Sequence, residues 1–186
     1  MGGSNNYGNP SIQSICAVES YAPAVLRLQG TRHLPNFTVD AQMAPMRRFT
    51  IEVSTDGNTD IVNLSPELVR HGHELPGDGL LHLFVVGSTA ALITIEFEPG
   101  LVKHDLPNLL QRLVPDDVHY DHEATWNDDN GHSHIRASLL GPDLTIPYSN
   151  GKLLTGEYQQ VVLVDFDTRP RRRKVICTVI VTDPAN

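Results

Sequence analysis

The chain has 186 residues, 40% of them hydrophobic and 19% charged, with a formal net charge of −8 at pH 7. That length gives room for one domain with a sizeable core, and the mixture is that of a globular chain. The acidic balance argues against a nucleic-acid or anionic-membrane surface, and no apolar run approaches the ~20 residues of a membrane span.

Residues 1–45 differ from the rest. They carry Pro10, Pro23, Pro35 and Pro45 and only modest apolar patches (Ile12, Ile15, Val18; Val25, Leu26, Leu28). The expectation is an N-terminal extension or arm, either free or held by a neighbouring subunit, ahead of one folded domain over 46–186. Its first ten residues lack the basic-then-apolar layout of a signal peptide. The two cysteines, Cys16 and Cys177, lack metal-ligand spacing. A reducing, cytoplasmic setting follows as the expectation, with Cys177 a buried free thiol.

From Phe49 the pattern is β, with Phe49, Ile51 and Val53 alternating with Thr50 and Glu52. Thr55-Asp56-Gly57-Asn58 is a turn, and Ser65-Pro66-Glu67 opens a short helix running to about His71. His71-Gly72-His73 falls in a loop and reads as surface. Leu80 to Val86 is a nearly continuous apolar run, expected as a strand buried on both faces. Ala90 to Phe97 is a second buried strand carrying Glu96, a carboxylate that burial makes a candidate for function.

Pro99 to Val114 is helical, with Leu101, Leu106, Leu109, Leu110 and Leu113 as its buried stripe. Pro107 restarts the helix and Asp105 caps the second part. A polar stretch follows, and five of the nine histidines lie within residues 104–134. Imidazoles beside carboxylates suit a borderline metal.

The segment from Asn130 to Pro142 reads as a helix with Ser133 as N-cap and Gly141-Pro142 as its stop. Its start gathers His132, Ser133, His134 and Arg136 at the positive end of the helix dipole, where anions bind. Asn150-Gly151 marks a hairpin turn. Glu157 to Phe166 and Lys174 to Thr182 are long strands, separated by a loop holding Arg171-Arg172-Arg173. An arginine cluster there is either a solvated loop or a phosphate clamp. About six to eight strands with two or three helices give an α+β fold on an antiparallel, sandwich-like core.

The order of motifs from about Phe49 to Val181 resembles the YjbQ-like family, associated with secondary thiamine-phosphate synthase activity. The resemblance is carried by Ser88-Thr89-Ala90-Ala91-Leu92…Glu96, Lys103-His104-Asp105-Leu106, Leu113-Val114-Pro115 and Tyr120-x-His122. It continues through His134-Ile135-Arg136-Ala137-Ser138-Leu139-Leu140-Gly141-Pro142, Leu144-Thr145-Ile146-Pro147, Gly156-x-Tyr158-Gln159 and Arg171-Arg172-Arg173. It implies a β-sandwich-like homotrimer with sites near subunit interfaces and a histidine cluster suited to a divalent metal such as zinc or magnesium. Gly87 departs from the pattern, standing where the family commonly has histidine. His132 is the residue placed to substitute, so the metal candidates are His122, His132 and His134.

The activity implied joins a pyrimidine-methyl pyrophosphate to a thiazole phosphate and displaces pyrophosphate, which requires charge neutralisation on the leaving group. Ser88, Thr89, Ser133, Arg136 and Arg171 are the phosphate-binding candidates. Glu96 and Asp105 are the catalytic ones, holding a metal or moving a proton. The alternative is a non-catalytic trimer tied by residues 1–45 into a larger oligomer or filament.

Overall fold

A computed structural model of the protein describes residues 47–183. The arm over residues 1–45 lies outside the described residues. The order is β1 (Arg47–Thr55), β2 (Asp60–Asn63), α1 (Ser65–Arg70), β3 (Asp78–Val86), β4 (Ala90–Ile95), α2 (Leu106–Leu113), α3 (Asp121–Trp126), α4 (Gly131–Leu140), β5 (Asp143–Ser149), β6 (Lys152–Leu153), β7 (Gln160–Asp165) and β8 (Arg171–Asp183). The fold is α+β.

Two antiparallel sheets form, a five-stranded one in the order β1-β8-β3-β5-β6 and a three-stranded one in the order β2-β7-β4. Between them lies one core, with Ile51, Val53, Leu81, Leu83, Val85, Val175, Cys177 and Val179 meeting Leu92, Val161 and Leu163. The small sheet is covered on its other face too. There Ala91, Val162, Val164 and Phe166 pack under Leu110 of α2 and Ala137 of α4. Thus β7 is a middle layer, and the continuous Val/Leu run of residues 161–164 matches a strand buried on both faces.

β3 is not such a strand. Its burial alternates, with Leu81, Leu83 and Val85 inside. Leu80 (37% exposed), Phe84 (41%) and Val86 (47%) lie on the outer face of the large sheet, with Ile180 (43%). The register sets Leu80 opposite Ile180 and Phe84 opposite Ile176, with His82 and Thr178 paired between them, so the face carries two apolar patches separated by a polar row.

The helix after Pro99 is continuous rather than restarted. A π-helical turn over Leu101–Asp105 leads straight into α2. Asp105 has helical angles and no side-chain cap bond, so it does not cap. The wider turn places Pro107, which has no N–H to donate, without breaking the chain. Of the expected stripe Leu110 is buried, whereas Leu109 and Leu113 are exposed. The Asn150-Gly151 turn joins β5 to β6 as expected, both residues having positive φ. The arginine cluster, expected in a loop, opens β8. Among the described residues no helix is long and apolar enough to cross a membrane.

Candidate functional site

The site is positioned by α4 and the β3–β4 turn. The carbonyl of Gly141 accepts from Leu92 N (3.1 Å) and that of Pro142 from Val85 N (2.9 Å), so the end of α4 is stitched to both sheets. Gly141 stops the helix with φ +91. At its other end α4 begins earlier than Ser133 would place it. Asn130 precedes the first helical residue, and its carbonyl accepts from Ser133 N. Gly131 sits where a Cβ would stand 2.5 Å from Tyr120 Cβ, which brings α4 tightly against the start of α3.

Two positions apart on a helix means ~200° apart around it, and the two histidines separate accordingly. His134 meets His122 of α3, with ring centroids 4.5 Å apart and planes at 54°. His134 also hydrogen-bonds the backbone of Ser88. His132 turns inward instead, 6.3 Å from the Tyr120 ring, with Nδ1 buried and unpartnered. The trio His122, His132 and His134 therefore does not converge. Among the described residues no group of three His, Cys, Asp or Glu side chains could hold a metal ion. The helix start is packed shut as well, with Gly131, His132 and Ser133 all buried.

Two further expectations are corrected by the bonding around that start. Ser133 Oγ donates to the Phe166 carbonyl (2.5 Å), tying α4 to the end of β7. Arg136 donates through Nε (2.9 Å) and Nη2 (2.7 Å) to the Val114 carbonyl, and through Nη2 and Nη1 to Gln111 and Thr59. Its guanidinium closes the C-terminus of α2, where a cation suits the helix dipole. Ser133 spends its hydroxyl proton and Arg136 four of its five N–H donors within the protein, and both side chains are buried.

Burial lowers the pKa of His134, and the neighbouring His122 lowers it further, against the opposing pull of Asp128 and the Ser88 hydrogen bond. It is thus a neutral imidazole at neutral pH. Asp128 Oδ2 stands 3.6 Å from His122 Nε2. That nitrogen and Asp128 Oδ1 are buried without a hydrogen-bond partner. At Ser88 an open depression of about 350 Å³ is lined by Phe84, Gly87, Ser88, Ala90, Ala137, Ser138 and Pro142; His122, His134 and Asp128 do not line it.

The remaining candidates fall elsewhere. Ser88 is exposed at the turn, while Thr89 is buried and donates to Asp167 Oδ2 (2.9 Å). Glu96 is exposed just beyond β4, and Asp105 is exposed on the π-helical turn. Among the described residues no hydrogen bond or ion pair ties either carboxylate to a histidine. Arg171 is paired with Asp167 at 3.0 Å.

Sequence reasoning passed over Asp165, and it noted Arg173 only as one of the cluster Arg171-Arg172-Arg173. Arg173 Nε and Nη2 each donate to Asp165 at 2.6 Å, and Nη2 also donates to Thr89 Oγ1 at 2.7 Å. Asp165 is fully buried and accepts from Thr55 Oγ1 as well. Burial alone would raise the pKa of Asp167, but bonds from Arg171 and Thr89 hold it below the usual carboxylate range. The signal available was the pattern Asp165-x-Asp167 followed closely by Arg171-x-Arg173. Gly87, where the resemblance expects histidine, has φ +141, and a Cβ there would stand 2.7 Å from Arg173 Nη1.

Residues 49–182 match the family described as UPF0047 protein YjbQ-like. A UPF0047 protein of Archaeoglobus fulgidus is 36% identical over 126 residues, covering 68% of this chain and 95% of the relative. UPF0047 protein YjbQ of Escherichia coli O157:H7 is 35% identical over 101 residues, covering 54% of this chain and 72% of its own. Among solved structures, a YjbQ/UPF0047 family protein from Clostridium acetobutylicum is similar at TM-score 0.63 and 27% identity, covering 71% of this chain and 99% of its own. A hypothetical protein from Aeropyrum pernix K1 is similar at TM-score 0.65 and 25% identity, covering 72% of this chain and 97% of that one. Motif order, two-sheet architecture and these likenesses agree: the chain belongs to the UPF0047, YjbQ-like family.

Proposed function

We propose that the protein acts on a phosphorylated small molecule where His134 meets His122 and Ser88. The reaction is of the thiamine-phosphate synthase type, joining a pyrimidine-methyl pyrophosphate to a thiazole phosphate. The observation that supports this is the imidazole pair, tied to the Ser88 backbone beside an open depression. In the condensation the carbon–oxygen bond to pyrophosphate breaks as the thiazole nitrogen bonds the methylene carbon. The departing group gathers negative charge and needs donors preorganised around it. A neutral His134 can take up a proton as that charge arrives, because a nearby anion favours the charged imidazole. The exposed Ser88 hydroxyl lies on the same turn.

The histidine trio does not fit a metal. A condensation assay with the two precursors tests the reading, following pyrophosphate release. The wild-type chain should form product, and His134→Ala should lower the rate by about 100-fold with its fold intact. A wild-type chain without product, or a His134→Ala variant as fast as wild type, removes the assignment.

We further propose that copies of the chain associate through the outer face of the large sheet, a homotrimer being the state the resemblance implies. The exposed Leu80–Ile180 and Phe84–Val86 patches on that face support this. Phe84 also lines the depression, so the partner would border the site.

A further inference from the structure

We propose that Arg173 Nη1 is the anion-binding group of this site, reaching the depression through the opening that Gly87 leaves and holding a phosphoryl oxygen of the substrate. The inference rests on the reading of the site as one for a phosphorylated small molecule and adds the residue that anchors it.

An arginine carries five N–H donors. In Arg173 the Nε–H is taken by Asp165 Oδ2, and the two on Nη2 by Asp165 Oδ1 and Thr89 Oγ1. The two donors on Nη1 have no acceptor among the described residues, although Arg173 is only 7% exposed. Nη1 is not sealed from solvent, so water accepts from these donors until an anion takes that place.

Their direction is fixed by the neighbour they approach. Nη1 stands 2.7 Å from where a Cβ on Gly87 would be, and Gly87 lines the depression with Ser88 and Ser138. Any side chain at position 87 would collide with Nη1, and the φ of +141 already disfavours one. Glycine there acts as a window onto a buried cation.

Among the described residues no carboxylate pairs with the Nη1 edge of Arg173. Asp165 and Asp167 are matched by Arg173 and Arg171, and both carboxylates engage other edges of the guanidinium or other groups, the nearest approach of Asp167 Oδ2 being 3.6 Å to Nη2. Asp165 fixes the guanidinium plane by two parallel bonds, so little rotamer freedom is lost when Nη1 takes a ligand. On the same turn the Ser88 hydroxyl is exposed and the Ser88 backbone holds His134. A phosphoryl group there would meet Nη1 and the Ser88 hydroxyl, and an imidazole N–H as a third donor once His134 takes up a proton.

The test is calorimetric titration of the full chain with inorganic pyrophosphate, inorganic phosphate and acetate, on wild type, Arg173→Lys and His134→Ala. Lysine keeps a cation for Asp165 but has no second amino group to reach Gly87. Pyrophosphate should bind wild type, and Arg173→Lys should weaken it by about tenfold or more while melting as a folded protein. Unchanged affinity in Arg173→Lys, with loss in His134→Ala, overturns the role of Arg173 and leaves the site standing. Absence of pyrophosphate binding by wild type overturns it too, and absence of condensation as well removes the underlying reading. Acetate binding as tightly as pyrophosphate overturns the phosphoryl preference. Should Arg173→Lys fail to fold, the guanidinium ¹⁵N–¹H resonances of wild-type Arg173 decide: Nη1 signals shift on adding pyrophosphate, or stay unmoved and refute the proposal.

Discussion

Arg173 grips Asp165 through two parallel N–H···O bonds of 2.6 Å each, in the interior where β7 and β8 come together. The carboxylate is wholly out of water and the guanidinium nearly so. Such a pair is worth little net against an apolar replacement, but removing one member strands a buried charge. We expect Asp165→Asn to destabilise the domain by about 3–5 kcal/mol, read from urea unfolding midpoints. An unshifted midpoint would mean that water reaches Arg173 in its place.

Gly131 gives a contest between two effects of opposite sign. Alanine in a helix is favoured over glycine by about 1 kcal/mol. Here, however, its Cβ would meet Tyr120 Cβ at 2.5 Å, and Tyr120 is fixed by its hydroxyl on the Pro115 carbonyl. Overpacking of this kind costs about 1–3 kcal/mol, so Gly131→Ala should lower the melting temperature. A rise would show that α3 gives way freely.

Acid should weaken the fold before Asp167 is protonated. Burial lowers the pKa of His132, with the charge of Arg136 adding to it, and burial likewise lowers that of His134. Below the ordinary value of 6.5 the unfolded chain then holds more protons than the folded one. Stability is therefore full above that value and is lost as pH falls toward the folded ones. Asp167, held below its ordinary 3.8, keeps its contribution throughout this window and loses it only in stronger acid. Thermal melts from about pH 7.5 to about pH 5.5 should show a falling midpoint, and His132→Asn should flatten the slope. Equal slopes in the two proteins would absolve His132.

The outer sheet face carries a prediction about mass. Phe84→Glu places a charge beside Val86 and Ile176 on this face, which water tolerates and an apolar contact does not. Sedimentation should report a trimer for the wild-type chain and a lighter particle for the variant. A monomeric wild type, or a variant of unchanged mass, would dismiss this face as the contact.

What could be read from the residues was what short-range chemistry decides. Asn150-Gly151 demands positive φ and made its hairpin, and Gly141-Pro142 ended α4 because neither residue continues a helix. The strand pattern at Phe49-Ile51-Val53 likewise held. Long-range partners were out of reach. Three consecutive arginines resemble a wet loop, and only the pairing of β8 with β3 and β1 turns Arg173 inward to Asp165. The metal trio failed on a shift of helix start. With Ser133 as cap His132 was free to join His134, whereas a helix beginning at Gly131 sends the two to opposite sides. The run Leu80–Val86 misled for a different reason, since hydrophobic side chains on an open sheet face spell the same letters as those in a core.

The placement of β7 has a thermodynamic corollary. Residues 161–164 of β7 alternate between two apolar clusters, Val161 and Leu163 in one, Val162 and Val164 in the other, all at 0% exposure. Peeling the helices away would strip one side of that strand, and parting the sheets would strip the other. Neither half can melt while its neighbour stays intact, so the sandwich and its helical cover should come apart in a single cooperative step.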